Sequence, residues 1–317
     1  MKKKLLCITP VKHIGNLFEK MMESFDVIYL PDPSESEVIE NSDVEIIFTN
    51  PNKSKVFLGE KVLKHFSRLI AITTASTGTV HIDQQYCGGR GIEVISIKKE
   101  TATLETITST AELAFGLTLN AIRNVVPAIE SAAQGEWNYE KFVGRQLNQL
   151  RVGVIGFGRL GKMYANYARA FGARVFICDP FKPTEIREAG FEEEEKFEIF
   201  RSCDVVSIHI HAEGNEKFIG ESVLSIANPE LVLVNTSRGE VVDELAVIKS
   251  VRRSPGFKYF TDVLSHEYSG IEKNVLYQFS KTTTQIQITP HIGGMTIDAQ
   301  IVAYGKALSM LQAFVSS

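Results

Sequence analysis

Residues 151–179 read RVGVIGFGRLGKMYANYARAFGARVFICD. The apolar run Val152, Val154, Ile155 leads into Gly156-Phe157-Gly158-Arg159-Leu160-Gly161. A helical pattern follows, then Gly172, a second apolar run from Val175 to Ile177, and Asp179. Strand, glycine turn, helix, strand and acid is the order of a dinucleotide-binding βαβ unit. In that reading Gly156 lets the chain turn, Gly158 lets a pyrophosphate approach the backbone, and Gly161 lets helix and strand pack closely. The helix that opens at Arg159 and Leu160 offers unpaired N–H groups and the positive end of its dipole to phosphate. Asp179, 23 residues after Gly156, can accept hydrogen bonds from both ribose hydroxyls. It would repel a 2′-phosphate, and no arginine immediately follows it, so NAD is expected rather than NADP.

The rest of the chain surrounds this unit with more of the same. A length of 317 residues suggests roughly two domains at about 150 residues each. A hydrophobic content of 44% is ordinary for a globular protein, and a net charge of -4 gives no reason to expect nucleic acid or an anionic membrane as partner. The four cysteines (Cys7, Cys87, Cys178, Cys203) are scattered without a CxxC pair, which suggests free thiols in a reducing compartment. The basic lead Lys2-Lys3-Lys4 is followed by an apolar stretch too short for a signal peptide, and no run approaches a membrane span. A cytoplasmic location is expected, and no metal site is indicated.

Short apolar runs alternate with helical patterns before and after the glycine turn. In the first part they are 4–9, 27–30, 44–48, 69–73 and 92–97, and in the second 205–210, 231–234, 259–263 and 287–289. This alternation predicts two doubly wound parallel sheets, a substrate domain and a Rossmann-type cofactor domain. A long helical pattern from Ser109 to about Ala133 carries the chain between them, and an amphipathic helix over 297–315 returns to the first. The expected division is 1–108 with 292–317 for the substrate domain, and 109–291 for the cofactor domain. Glu192 to Glu195 read as a solvated helix start, since acids favour that helix end.

Three polar residues follow strand ends in the second half: Arg238 after LVLVNTS, Glu267 after TDVLSH, and His291 after QIQITP. Carboxyl ends of parallel strands converge on the cofactor crevice. Reversible hydride transfer to a 2-oxo acid needs a fixed cation for the carboxylate, which the arginine fork suits, and an acid/base for the carbonyl oxygen, which histidine suits. An adjacent carboxylate would favour the protonated imidazole.

These segments resemble the D-isomer-specific 2-hydroxyacid dehydrogenase family. Residues 235–243 (NTSRGEVVD) are similar to its NxxRGxxVD segment, 262–267 (DVLSHE) to DVFxxEP, and 289–294 (TPHIGG) to TPHIGG. The resemblance extends over nearly all of the chain and implies a flavodoxin-like substrate domain. It implies that Arg238 grips the carboxylate and oxo group, that His291 exchanges the proton, and that Glu267 holds His291. It places Thr110, His209, Ile210, Thr236, Ser237, Asp262, Gly293 and Gly294 along the cofactor, with Asp262 beside the carboxamide. It places the substrate carboxylate at the Ser76-Thr77-Gly78 loop, with Asn52 and Lys53 at a neighbouring strand edge. Lys53, Lys55, Lys98 and Lys99 suggest a substrate with an anionic or phosphorylated tail. The family resemblance also implies a homodimer joined through the cofactor domain, where Ala114 and Gly116 would permit close packing.

Three departures from the family pattern stand out: Tyr268 and His211 replace prolines, and the segment after Gly91 is about five residues longer than usual. The competing reading is an NAD(H)-sensing corepressor on the same fold with little turnover. Formate oxidation is disfavoured, because formate dehydrogenases of the family carry glutamine at the position of Glu267.

Overall fold

The computed structural model describes residues 2–51, 56–267 and 270–316. Two α/β units divide the chain, one comprising Met1–Ile107 with Met295–Ser317 and the other Thr108–Gly294.

In the first unit, β1 (Lys4–Cys7), β2 (Asp26–Tyr29), β3 (Ile46–Thr49), β4 (Ala71–Thr74) and β5 (Glu93–Ser96) form a parallel sheet in the order β2-β1-β3-β4-β5. Leu5 lies opposite Val27 on one side and Ile46 on the other, and Ile47 opposite Ile72. β3 and β4 are buried throughout, as parallel strands covered on both faces must be. One face packs with Ala303, Tyr304, Ala307, Leu308 and Leu311 of the helix Ile297–Ser316. The opposite face packs with Val38, Leu63 and Phe66. The long segment after Gly91 is folded into this unit. It forms a 3-10 turn at Ile97–Lys99 and a short helix at Thr101–Glu105, buries Leu104 in the core and pairs Glu100 with Lys306 at 2.8 Å.

In the second unit, β6 (Arg151–Ile155), β7 (Arg174–Cys178), β8 (Glu192–Glu193), β9 (Val205–Ile208), β10 (Val232–Asn235), β11 (Lys258–Thr261) and β12 (Ile286–Ile288) are also parallel. Their order is β12-β11-β10-β9-β6-β7-β8. The order reverses between β6 and β9, which makes the carboxyl end of β6 a ligand crevice, and the glycine turn leaves β6 there. Val154 lies opposite Ile177 of β7 and Ser207 of β9.

Three expectations are corrected. The pattern from Ser109 to Ala133 forms two helices, Ser109–Arg123 and Val125–Ala133, because Asn124 is left-handed (φ 53°). Asparagine tolerates that conformation, and Lys258 Nζ fixes the break by donating to Ala121 O at 2.7 Å and Asn124 Oδ1 at 2.6 Å. Glu192 and Glu193 are an exposed edge strand, and the following helix begins only at Lys196. Ala114 is buried in the second unit's own core with Tyr164 and Ala165, so it offers nothing to another chain. No helix among the described residues is long and apolar enough to cross a membrane.

Candidate active site

The turn after β6 shows three glycines serving three different needs. Gly156 has φ +95°, and a Cβ there would lie 2.6 Å from His209 O. A Cβ at Gly161 would fall 2.0 Å from Gly156 O, so the helix Arg159–Ala170 sits against the turn with no room for a side chain. At Gly158 a Cβ would meet nothing within 4 Å. Gly158 is the N-cap of that helix and supplies no side-chain cap, at the end where a helix's first N–H groups lack intrahelical partners. A helix start of this kind can hold a pyrophosphate.

Asp179 ends β7 and braces the same turn. Its Oδ2 accepts from Phe157 N at 2.8 Å and its Oδ1 from Phe181 N at 3.0 Å. His209 lies just beyond β9. Its Nε2 lies 2.9 Å from Ser207 Oγ, and its ring stands 5.1 Å from that of Tyr164. Burial pushes its pKa down to about 3, so the ring is neutral. Ile210 Cγ2 lies 2.7 Å from where a Gly156 Cβ would be.

β10 leads into Thr236, Ser237 and Arg238. Asn235 fixes this loop: its Oδ1 accepts from Ser237 N at 3.0 Å and Ser237 Oγ at 2.7 Å, and its Nδ2 donates to Arg238 O at 3.0 Å. Arg238 Nη1 donates to Ser237 O at 2.6 Å, and its guanidinium has no carboxylate partner among the described residues. The buried Thr236 Oγ1 has no hydrogen-bond partner, a cost that a bound ligand would remove.

Beyond β11, Asp262 is almost fully buried and organises the loop that follows β12. Its Oδ1 accepts from Thr289 Oγ1 at 2.5 Å and Ile292 N at 2.9 Å, and its Oδ2 from Gly293 N at 2.7 Å. Burial raises its pKa, and those donors oppose the rise. A Cβ at Gly293 would crowd Asp262 Oδ2 and Thr110 Cγ2, both at 3.1 Å. Gly294 faces open space.

Between Thr289 and Ile292 stands His291, with φ 55°. Its Nδ1 meets Glu267 Oε1 at 2.6 Å, both side chains being about a quarter exposed. The structure therefore joins a histidine and a carboxylate separated by 24 residues. It also brings the Arg238 loop against the Glu267 loop, because a Cβ at Gly239 would lie 2.0 Å from Leu264 C.

Sequence reasoning missed Glu240, Glu244 and Asn274, which bind the backbone of residues 265 and 266. Acids at a helix start were the only signal available, and they do not name their partners.

In the first unit, Ser76 Oγ lies 2.9 Å from Thr74 Oγ1 and donates to Gly78 O at 2.5 Å, while Thr77 is exposed. Lys98 and Lys99 are exposed. Asn52, Lys53, Lys55 and Tyr268 lie outside the described residues. No group of three His, Cys, Asp or Glu side chains among the described residues could hold a metal ion.

Residues 115–293 match the family profile described as D-isomer specific 2-hydroxyacid dehydrogenase, NAD binding domain. The chain is 28% identical over 270 residues to D-3-phosphoglycerate dehydrogenase of Methanocaldococcus jannaschii, covering 84% of this chain and 48% of that protein. It is 30% identical over 251 residues to glyoxylate reductase of Thermococcus litoralis, covering 76% and 72%. It thus spans about half the length of the phosphoglycerate dehydrogenases it matches. A solved D-lactate dehydrogenase from Aquifex aeolicus, complexed with NAD and lactic acid, superposes with a TM-score of 0.81 at 26% identity, over 99% of this chain and 95% of that one.

Proposed function

Because the chain belongs to the D-isomer specific 2-hydroxyacid dehydrogenase family, we propose that it interconverts a 2-oxo acid and the corresponding D-2-hydroxy acid with NAD. The observation that carries this reading is the 2.6 Å contact between His291 Nδ1 and Glu267. With Nδ1 so engaged, Nε2 is the ring nitrogen left for the substrate in this reading. NAD, when bound, gives or takes the hydride.

The protein's own residues do the rest. The glycine turn and the helix behind it hold the pyrophosphate, and Asp179 the ribose. Thr236 and Ser237 line the crevice. Arg238, lacking a carboxylate partner among the described residues, takes the carboxylate and oxo group of the substrate. His291 Nε2 gives its proton to the carbonyl oxygen in reduction and recovers it in oxidation, while Glu267 keeps the ring oriented. Ser76, Thr77 and Gly78 supply backbone amides for the substrate carboxylate. An anionic or phosphorylated tail on the substrate fits Lys53, Lys98 and Lys99. The curated relatives quoted above carry the names of dehydrogenases and reductases, which favours turnover over the sensor reading.

The second copy in a homodimer fits the surface around the broken helix. Val125–Ala133 buries none of its residues, and Ile129 on it and Trp137, Tyr139 and Val143 after it are 62%, 95%, 82% and 76% exposed. Light scattering should return a dimer mass, and a monomer would contradict the assignment. The free cysteines support a cytoplasmic setting.

The decisive experiment follows NADH oxidation by purified protein with glyoxylate, hydroxypyruvate, 3-phosphohydroxypyruvate and pyruvate. Turnover of at least one is expected, and failure with all, alongside larger sugar-derived oxo acids, would overturn the enzyme reading.

A further inference from the structure

We infer that Glu244 is a positioning residue for the Glu267–His291 pair, its carboxylate holding the chain at Ser265 so that Glu267 reaches the imidazole. The inference deepens the proposed reaction and rests on it for its functional meaning. Five hydrogen bonds and one close backbone contact carry it. Glu244 Oε1 accepts from Ser265 N at 2.8 Å. Both Glu244 oxygens accept from Asn274 Nδ2, at 3.0 and 2.9 Å, and the same amide nitrogen donates to Ser265 O at 3.1 Å. Four residues earlier, Glu240 Oε1 accepts from His266 N at 3.1 Å. Gly239 presses its backbone on Leu264 and Ser265.

The reason a clamp is needed lies at His266, whose φ of 55° is unusual for a residue with a side chain. That left-handed step turns the chain immediately before Glu267 and persists only if its surroundings over-determine it. The N–H groups of Ser265 and His266, on either side of the strained peptide, are each received by a carboxylate. A carboxylate suits position 244 because both residues that hydrogen-bond to it, Ser265 and Asn274, donate. Glutamine would place its own N–H₂ against Ser265 N or Asn274 Nδ2. Burial raises the pKa of Glu244, Glu240 adds to the rise, and the donors from Ser265 and Asn274 oppose it. Tyr259, whose own pKa burial pushes up to about 12, is the further titratable group in its field.

The test compares the parent with Glu244→Gln, Glu267→Gln and the double variant in the full chain. The first readout is solvent exchange of the His291 Nδ1–H proton by NMR, which needs no turnover. Glu244→Gln should speed that exchange by roughly tenfold or more, since exchange reports local opening. The second is kcat with glyoxylate and hydroxypyruvate, which should fall by roughly 10- to 100-fold, part of the 10²–10⁴ a positioned acid supplies. NADH affinity should hold. In both readouts the double variant should match Glu267→Gln alone, because one residue acts through the other. Unchanged exchange in Glu244→Gln, or effects that add in full to those of Glu267→Gln, would overturn the inference. A parent that oxidises no NADH would instead sink the enzyme reading, with the exchange result still deciding the clamp.

Discussion

The glycine turn after β6 and the two loops that carry Glu267 and His291 all leave the carboxyl ends of strands in one sheet, yet they are held by different means. The turn is held by shape: Gly156 and Gly161 fit because no Cβ could, and the neutral ring of His209 stands behind them. The loops of Glu267 and His291 are held by buried carboxylates. Asp262 gathers Thr289, Ile292 and Gly293, and Glu244 gathers Ser265 and Asn274, each bracing a left-handed histidine nearby. A phosphate cradle need only present backbone, and sterics can fix backbone locally. A proton-transferring pair must meet to within a few tenths of an ångström from two separate strands, which calls for strong directional acceptors.

The largest expected effect separates chemistry from binding. His291→Gln should lower kcat by roughly 10²–10⁴ while NADH affinity, measured by fluorescence quenching, stays within a few-fold. Comparable rates in variant and parent would remove His291 from the reaction.

Acid should act on the two regions with opposite sign. Burial lowers the pKa of His209 to about 3 and that of His81, in the first unit, to about 4. Between those values and about 6.5 the unfolded chain binds protons that the folded one refuses, so stability is full above pH 6.5 and declines as pH falls. The loss at pH 4 is about 3 kcal/mol for His81 alone. For Asp262 and Glu244 the folded pKa is raised, so protonation favours the fold and acid removes only their role as acceptors. Tm should therefore drop on acidification, less steeply in His81→Leu and His209→Gln. Glu244→Gln should instead steepen that drop, because it removes a group whose protonation favours the fold in acid. A Tm that is flat from pH 7 to 4 would contradict the buried-histidine account.

The smallest effects distinguish the glycines. Gly161→Ala should cost about 1–3 kcal/mol through overpacking against Gly156 O. Gly158→Ala should leave Tm within about 0.5 kcal/mol of the parent, as surface changes do, and weaken NADH binding instead. Equal thermal shifts in the two variants would show that the turn has no open side.

How much could be read in the amino-acid order follows from the same contrast. The turn is local: strand, three glycines in six residues, helix and Asp179 lie within one short stretch. The tandem of apolar runs likewise predicted two parallel sheets, because each run is a buried strand. Arg238, Glu267 and His291 stood out through their motifs and their places after strands. Their supports did not, since Glu244 meets Ser265 and Asn274 across 21 and 30 residues, and no local pattern encodes such a meeting. Asp262 was legible as a site residue, but both its oxygens are taken by the loop of His291, a tethering role the motif alone does not reveal. The break at Asn124 escaped because apolar periodicity runs straight through it. β8 escaped because two exposed glutamates at a sheet edge carry no apolar signature.

The division of the chain also bears on how it leaves the ribosome. The core of the first unit includes Ala303, Tyr304, Ala307, Leu308 and Leu311, made some 200 residues after β5. Until that helix emerges, one face of the five-stranded sheet has only the helix Leu17–Ser24 and the segment around Leu104 to cover it, whereas the second unit already has all its strands. The usual vectorial order, amino-terminal domain first, is thereby inverted, and the nascent first sheet is the part that most needs a chaperone's cover.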